Sequence, residues 1–427
     1  MSSTPPSPPS SSPSPSSSPS SWGAVITGLG VIAPGGIGTE AFWKNTLEGI
    51  SSLDHLTRDG CTHLPVRVAG EVHGFDPTTV IEPTYLVQTD RFTHFALAAA
   101  AEALTDAGLD PATLADPYTT GVVTAAGSGG GEFGQRELQN LWGHGPRHVG
   151  PYQSIAWFYA ASTGQISIRG GFKGPCAVLA ADEAGGLDTL AHAARAVHHG
   201  TPTMLAGAAE APLAPYSLVC QLGYPELSTH PDPRHAYRPY TPTACGFAPA
   251  EGGAMLTVED PATAAARGAT PRAVIAGHAA TFTGAGRWAA SRHGLARAIT
   301  TALAQAGCAP HQVDVVFADA LGVPAADRAE ALALTDALGD HGHRVPVTAP
   351  KTGTGRAYCA APVLDAAAAV LTLQHGLIPP TPNLSGSPLG LNLVTDQARP
   401  ARPRTALLLS RGLQGTNTAL LLRHPTP

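Results

Sequence analysis

Apolar runs of strand length alternate with apolar residues at helical spacing along most of the chain. Residues 24–32 predict a buried strand that contains a glycine turn, and residues 92–107 predict a helix that ends before Gly108. Further apolar patterns predict strands at 120–125, 176–181, 204–206 and 254–258 and an amphipathic helix at 187–199. Alternating elements of this kind predict an α/β fold with mostly parallel strands that are covered on both faces.

The alternation restarts near Arg272, where it predicts strands at 273–276 and 313–318 and helices at 294–306 and 326–337. This restart indicates two halves, 22–265 and 266–427, although the halves share no literal sequence repeat. Residues 1–21 form a separate tail that is almost entirely Ser and Pro. Such a composition cannot bury apolar surface, so the tail is expected to be disordered, either as a passive extension or as a docking segment.

The composition indicates a globular protein and narrows the choice of partners. Of the 427 residues, 43% are hydrophobic and 13% are charged. The net charge of −6 and the pI near 6.3 argue against nucleic acid or an anionic membrane surface as a partner. The apolar run at 360–373 contains Asp365 and predicts a buried helix rather than a membrane span.

The start of the chain and the cysteines bear on the cellular compartment. No basic segment followed by an apolar segment marks a secretion signal. The six cysteines are scattered without a CxxC pair, which is typical of a reduced cytoplasmic protein without a zinc site. Cys176 falls inside a predicted apolar strand and is expected to pack there as a small hydrophobe. We therefore expect a cytoplasmic protein that binds no metal.

The junction around Glu183 is the most informative site in the sequence. The apolar strand at 177–181 leads directly into a tight turn at 182–186 and then into a helix. Several α/β enzymes present a nucleophile at such a strand–turn–helix junction, where the helix N-terminus favours an anion. A carboxylate at this position also fits a helix-capping role, so both interpretations remain open.

The segment GPCAVLAADEAGGLD at 174–188 resembles the active-site segment of ketosynthases of the thiolase superfamily, which have a cysteine where Glu183 stands. The stretch at 132–169 is typical of chain-length factors, the non-condensing partners of ketosynthases in type II polyketide synthases. The resemblance implies a thiolase fold of two packed α/β halves in an αβαβα layered arrangement. Further matching segments lie at 246–253, 351–355, 379–381 and 412–417.

Ketosynthase chemistry requires a thiolate and two histidines that donate hydrogen bonds. Register against the family places Glu183, Asp319 and Arg356 at these three positions. An ionised carboxylate only accepts hydrogen bonds and an arginine cannot shuttle a proton, so we expect no catalytic residue and no condensing activity. We hypothesise that Arg356 pairs with Glu183, Asp319 or both and plugs a vestigial site.

The resemblance also implies a role in shaping an acyl tunnel. The family's gating positions correspond to Gly131, Gly134 and Leu138. Because relatives often carry bulky side chains there, the gate is expected to be open and the polyketide long or linear. The alternative is that Gly131 merely extends a flexible glycine loop.

The partners follow from the resemblance as well. A catalytic ketosynthase should form a heterodimer with this chain near the aromatic stretch at 152–159, and an acyl carrier protein should deliver the chain on phosphopantetheine. No cofactor of its own is expected. Two alternatives remain: a purely structural docking subunit, or a decarboxylase of malonyl-carrier protein that primes synthesis. Chain-length factors usually carry glutamine at position 183, and an ionised Glu183 would repel a malonyl carboxylate.

Overall fold

The computed structural model describes residues 23–284, 288–386 and 388–425. The predicted Ser/Pro tail at 1–21 lies outside these residues. The first half of the chain contains the strands β1 Val25–Ala33, β2 Gly36–Ile37, β3 Asp54–His55, β4 Val68–Ala69, β5 Thr120–Ala125, β6 Cys176–Leu179, β7 Thr203–Glu210 and β8 Gly252–Glu259. The second half contains β9 Ala273–Phe282, β10 Val315–Phe317, β11 Pro346–Thr348, β12 Leu377–Ile378, β13 Asn392–Leu393, β14 Arg399–Pro400, β15 Thr405–Arg411 and β16 Thr416–Arg423.

The helices cover the faces of these strands. Those of the first half are α1 Thr39–Glu48, α2 Pro83–Gln88, α3 Arg91–Asp106, α4 Gly131–His144, α5 Gln153–Ala156, α6 Ala161–Gly170, α7 Gly185–His198, α8 Pro215–Gln221 and α9 Pro261–Ala266. Those of the second half are α10 Trp288–Gln305, α11 Pro324–Leu338, α12 Lys351–Thr354 and α13 Ala360–His375.

The two halves repeat one strand order outward from a shared centre. In the first half the order is β1-β8-β7-β5-β6, and in the second half it is β9-β16-β15-β10-β11, with β13 beyond β11. A short antiparallel pairing of β1 with β9 joins them into one sheet. The two halves therefore share a topology that their sequences do not display.

The expectation of mostly parallel strands is wrong for the centre of this sheet. The strands β1, β8, β9 and β16 pair antiparallel with all of their neighbours, and only the outer strands are parallel. The connection from β15 to β16 spans only 412–415, and a turn this short can join only antiparallel strands. The predicted burial is confirmed for β1, β7 and β8, which are buried along their whole length.

Helices cover the outer faces of the two halves of the sheet and also lie between the two halves. The helices α3 and α6 cover the outer face of the first half, and α10 and α11 cover the outer face of the second half. Between the halves, α7 and α13 contribute to one core with strands of both, which gives the five-layered αβαβα arrangement. The predicted buried helix at 360–373 is confirmed in α13. Across the described ranges, no helix combines the length and apolarity needed to cross a membrane.

The strand β6 forms one edge of the sheet and leads into the elbow at Glu183. The residues of β6 are exposed or only half-buried in the single chain. The prediction that Cys176 packs inside a buried strand is therefore wrong, since its side chain is exposed. An apolar edge strand without a covering element is a surface that another chain can pair with or cover.

Candidate functional site

The elbow between β6 and α7 presents two adjacent carboxyl groups. Asp182 adopts a left-handed backbone conformation with φ 58°, which is rare for a residue other than glycine. The Leu413 N–H donates to Glu183 Oε2 at 2.7 Å, and the Gln414 N–H donates to Asp182 Oδ2 at 2.7 Å. A side chain at Gly412 would overlap the Asp182 carboxyl. The elbow is thus bound to the β15–β16 turn.

This arrangement decides between the two interpretations of Glu183. The N-cap position of α7 is Ala184, and no side chain caps the helix. The helix-capping interpretation is therefore wrong, because the Glu183 carboxyl reaches across to the second half of the chain. Burial, followed by a hydrogen bond and charge repulsion from Asp182, raises the pKa of Glu183 well above its ordinary value, against the opposing charge of Arg356. Burial and Asp182 therefore oppose the ionisation of Glu183.

The other two predicted positions meet in the interior of the second half. Arg356 Nη2 lies 2.9 Å from Asp319 Oδ1, and both side chains are almost completely buried. Arg356 also donates to the backbone carbonyls of Asp319 at 3.2 Å and Arg411 at 2.5 Å. The hypothesised pairing is present with Asp319, whereas Glu183 is held by the Leu413 N–H.

Sequence reasoning missed two further members of this cluster, Arg411 and Glu330. Arg411 donates from Nε to Asp319 Oδ2 at 3.0 Å and from Nη2 to Glu330 Oε2 at 3.2 Å. Glu330 also accepts the Asp319 N–H at 2.7 Å. The signal in the sequence was an arginine at the end of the apolar run at 405–411, since a charge in a buried strand requires a partner. Asp319, Glu330, Arg356 and Arg411 are called the buried ion network below.

Charge balance within this network keeps Asp319 ionised. Burial alone would raise the pKa of Asp319, but Arg356, Arg411 and Lys351 outweigh it and lower the pKa to about 2. Asp319 and Arg356 therefore occupy the positions of the donor pair that ketosynthase chemistry requires. Neither is suited to proton transfer at neutral pH, because Arg356 stays protonated and Asp319 is bound by Arg356 and Arg411.

A cavity of about 590 Å³ lies beside the elbow. Asp182 and Glu183 line one part of it, and Gly131 lines another. Gly134 is buried on α4 and Leu138 is 38% exposed, and neither contributes to the lining. The remaining lining is rich in aromatic side chains, including Trp157, Tyr159, Tyr216, Tyr224 and Tyr358.

Gly131 is buried and is the first residue of α4. The alternative in which it merely extends a flexible loop is therefore wrong. The role of Gly131, Gly134 and Leu138 in a tunnel stays a prediction, as does the division of the chain between 265 and 266.

The layered fold and the elbow define a protein of the ketosynthase class, with Glu183 in place of a cysteine at the elbow and with Asp319 and Arg356 paired to each other. The family models of the beta-ketoacyl synthase N-terminal domain and C-terminal domain match residues 24–264 and 272–385. The chain belongs to the beta-ketoacyl synthase family.

Relatives with similar length cover almost the whole chain. It is 72% identical over 401 residues to a Streptomyces coelicolor protein provisionally named polyketide beta-ketoacyl synthase 2, with 94% of this chain and 95% of the relative covered. It is 50% identical over 408 residues to the tetracenomycin polyketide synthase ketoacyl synthase beta subunit of Streptomyces glaucescens, with 94% and 98% covered.

Solved structures agree with the fold. The ishigamide ketosynthase/chain length factor superposes with a TM-score of 0.84 at 26% identity, over 95% of this chain and 100% of that chain. A type II polyketide synthase acyl-carrier protein in complex with its ketosynthase bound to the hexaketide gives the same TM-score of 0.84, also at 26% identity and over 95% and 100% of the two chains.

Proposed function

We propose that this chain is the non-condensing chain-length-factor subunit of a type II polyketide synthase and that it shapes the acyl cavity of a ketosynthase heterodimer. The observation that carries this proposal is the ion pair of Arg356 with Asp319, which occupies the positions of the required donor pair while a cavity persists beside Glu183. The ketoacyl synthase beta subunit among its relatives and the likeness to a ketosynthase/chain length factor support the same role.

The residues present cannot perform the condensation. Acyl transfer to the enzyme needs a nucleophile that forms a thioester, and the elbow offers a buried carboxyl already bound to the Leu413 N–H. Decarboxylation and the developing oxyanion need neutral or cationic N–H donors that face the substrate. The guanidinium groups of Arg356 and Arg411 instead face Asp319. The partner ketosynthase must therefore supply the thiolate and the donor pair.

The partner-binding face has a clear apolar character. Trp157, Phe158 and Tyr159 are 40–51% exposed, and the edge strand β6 is exposed or half-buried in the single chain. Contiguous exposed apolar surface of this kind marks a protein interface. We assign this face to the catalytic ketosynthase. An acyl carrier protein would deliver the growing chain on phosphopantetheine, which is the one cofactor of the assembly in this proposal. A reduced cytoplasmic location suits the free cysteines of the described chain.

Reconstitution tests the proposal directly. The chain is purified alone and with the ketosynthase encoded beside it, and native mass and product are measured with malonyl-carrier protein as the substrate. We expect a one-to-one heterodimer that makes polyketide, and no condensation by the chain alone. Exchange of this subunit for a chain-length factor of another system should change the product length. A stable homodimer that ignores the ketosynthase, or a product length unaffected by the exchange, contradicts the proposal.

One observation favours a second candidate function, the decarboxylation of malonyl-carrier protein. Because burial and Asp182 raise the pKa of Glu183, a neutral carboxyl there can donate a hydrogen bond and repels a malonate less than an ionised one. The test is the release of CO₂ from malonyl-carrier protein by the isolated chain, compared with Glu183→Ala. Activity that depends on Glu183 and declines as the pH rises supports this function, and equal rates for the two proteins exclude it.

A further inference from the structure

We propose that Trp157 and Ser217, rather than side chains of α4, form the cavity wall next to α4 and thereby determine how long a polyketide the heterodimer makes. This inference rests on the proposed chain-length role and names the residues that perform it. Both residues line the cavity of about 590 Å³ beside Glu183. Neither lies on the helix that carries the gating positions predicted from the sequence.

The indole of Trp157 fills the place of a side chain at position 134. A Cβ atom built on Gly134 would lie 2.9 Å from Trp157 Cδ1 and 3.6 Å from its Nε1. Real Cβ atoms essentially never come this close to a ring, so a larger residue at this position would displace the indole. The predicted open gate is therefore already occupied at Gly134, by a side chain from another segment.

The preceding glycines fix the position of Trp157. The Gly130 N–H donates to the carbonyl of Trp157 at 3.1 Å. A Cβ on Gly129 would lie 2.7 Å from that carbonyl oxygen, and a Cβ on Gly130 would overlap the carbonyl of Ala156. The glycine run thus allows the backbone at 156–157 to lie directly on the start of α4, with the half-exposed indole against Gly134.

Ser217 makes the same kind of contact with the first residue of α4. A Cβ on Gly131 would overlap the Ser217 hydroxyl, which α8 places at the cavity. Bulk at position 131 would therefore displace the Ser217 hydroxyl rather than extend into empty space. Because Gly131 and Gly134 have no side chains, Ser217 and Trp157 occupy the space next to α4 and set the depth of the cavity there.

Substitution of Trp157 tests this inference in the reconstituted heterodimer. Trp157→Phe and Trp157→Ala should lengthen the main product by roughly one or more extender units, with the larger change for alanine, because each removes wall volume. Gly134→Phe should shorten the product, because the phenyl ring drives the indole into the cavity. In the double variant Gly134→Phe with Trp157→Ala, the phenyl ring can occupy the vacated place, so the length should return towards that of the native protein.

Trp142→Ala provides the matched control, since Trp142 is 83% exposed on α4 and does not line the cavity. It should leave the product unchanged. Product length is measured by mass spectrometry after native mass has established the heterodimer, and Trp157→Phe serves where Trp157→Ala does not assemble. Unchanged length in an assembled Trp157 variant, or a double variant whose product is as short as that of Gly134→Phe alone, overturns the inference. If the exchange of the whole subunit still alters length in that case, the chain-length role stands; if it does not, the proposed function itself fails.

Discussion

The buried ion network around Asp319 and the carboxyl pair at the Glu183 elbow belong to the same inherited site, but their charges are balanced differently. In the network, each acid is bound by an arginine and the exposed fraction of every member is 2% or less. At the elbow, Asp182 and Glu183 lie beside each other, accept backbone N–H groups and border a cavity. One region has become part of the protein core, and the other still faces space that a ligand could enter.

The pKa values reflect this difference. The arginines lower the pKa of Asp319 to about 2 despite its burial, whereas burial and Asp182 raise the pKa of Glu183 well above its ordinary value. Loss of the donor pair was thus accompanied by a gain of paired charge that stabilises the interior. At the elbow, Glu183 stands at the position of the thiol and borders the cavity. The site therefore retains a cavity although the residues at the catalytic positions of ketosynthases differ.

Removal of Arg411 should have the largest effect on stability. Arg411→Met leaves Asp319 and Glu330 buried with fewer partners, and breaking a buried ion pair from one side costs about 3–5 kcal/mol. We expect a loss of this size in the free energy of unfolding measured with urea. Arg292→Ala is the control, because Arg292 pairs with Asp336 at the surface, where solvent screens the charges and the loss should be much smaller. Equal losses for the two variants would show that the network is not a special element of the core.

Much of the fold could be predicted because its signal is local. The apolar run that became β1 and the periodicity that became α3 lie within one residue of their predicted positions at both ends. The parallel or antiparallel direction of the central strands could not be predicted, because pairing between β1 and β9 joins segments about 250 residues apart along the chain. The exposure of β6 was also missed, since an apolar strand has the same pattern at a covered and at an uncovered sheet edge.

The contacts of the site could be predicted only where they follow from alignment with the family or from the need to pair a buried charge. Alignment with the family placed Asp319 and Arg356 together, and the cost of an unpaired buried charge predicted their contact. The binding of Glu183 to the Leu413 N–H depends on a long-range approach of the β15–β16 turn, which no local pattern encodes. Likewise, Gly134 indicated an open gate only because the position of the Trp157 ring was unknown.

The pH dependence of stability sharpens the comparison, because Asp319 and Asp327 should act with opposite signs. Burial raises the pKa of Asp327 to about 7 from an ordinary value of 3.8. Its contribution to stability is therefore complete below about pH 4 and is lost as the pH rises to about 7, by at most about 1.4 kcal/mol per pH unit. Asp319, with its pKa lowered to about 2, contributes above about pH 4 and loses that contribution as the pH falls to about 2.

Asp327→Asn tests this assignment through the slope and not the absolute stability. The variant loses one of the two acceptor oxygens that bind Tyr240 N–H and Gly322 N–H, so it should be less stable than the native protein at pH 4. The decline in unfolding free energy between pH 4 and 7 should nevertheless become shallower. Part of the decline should persist, because burial also raises the pKa of Asp90 to about 7. An unchanged slope would mean that Asp327 is ionised throughout this range.

The smallest effect is expected for Glu183→Gln. The amide oxygen can still accept the Leu413 N–H, and a neutral amide replaces a carboxyl whose ionisation is opposed by burial and by Asp182, so the unfolding free energy at pH 7 should change by less than about 1 kcal/mol. Glu183→Leu should cost about 1–3 kcal/mol, because it leaves the buried N–H without an acceptor. The corresponding change in the network, Asp319→Asn, should cost more than either, since it removes the countercharge of Arg356 and Arg411. If Glu183→Gln costs as much as Asp319→Asn, then Glu183 is ionised and paired like Asp319. The two regions would then not differ in the way that their geometry indicates.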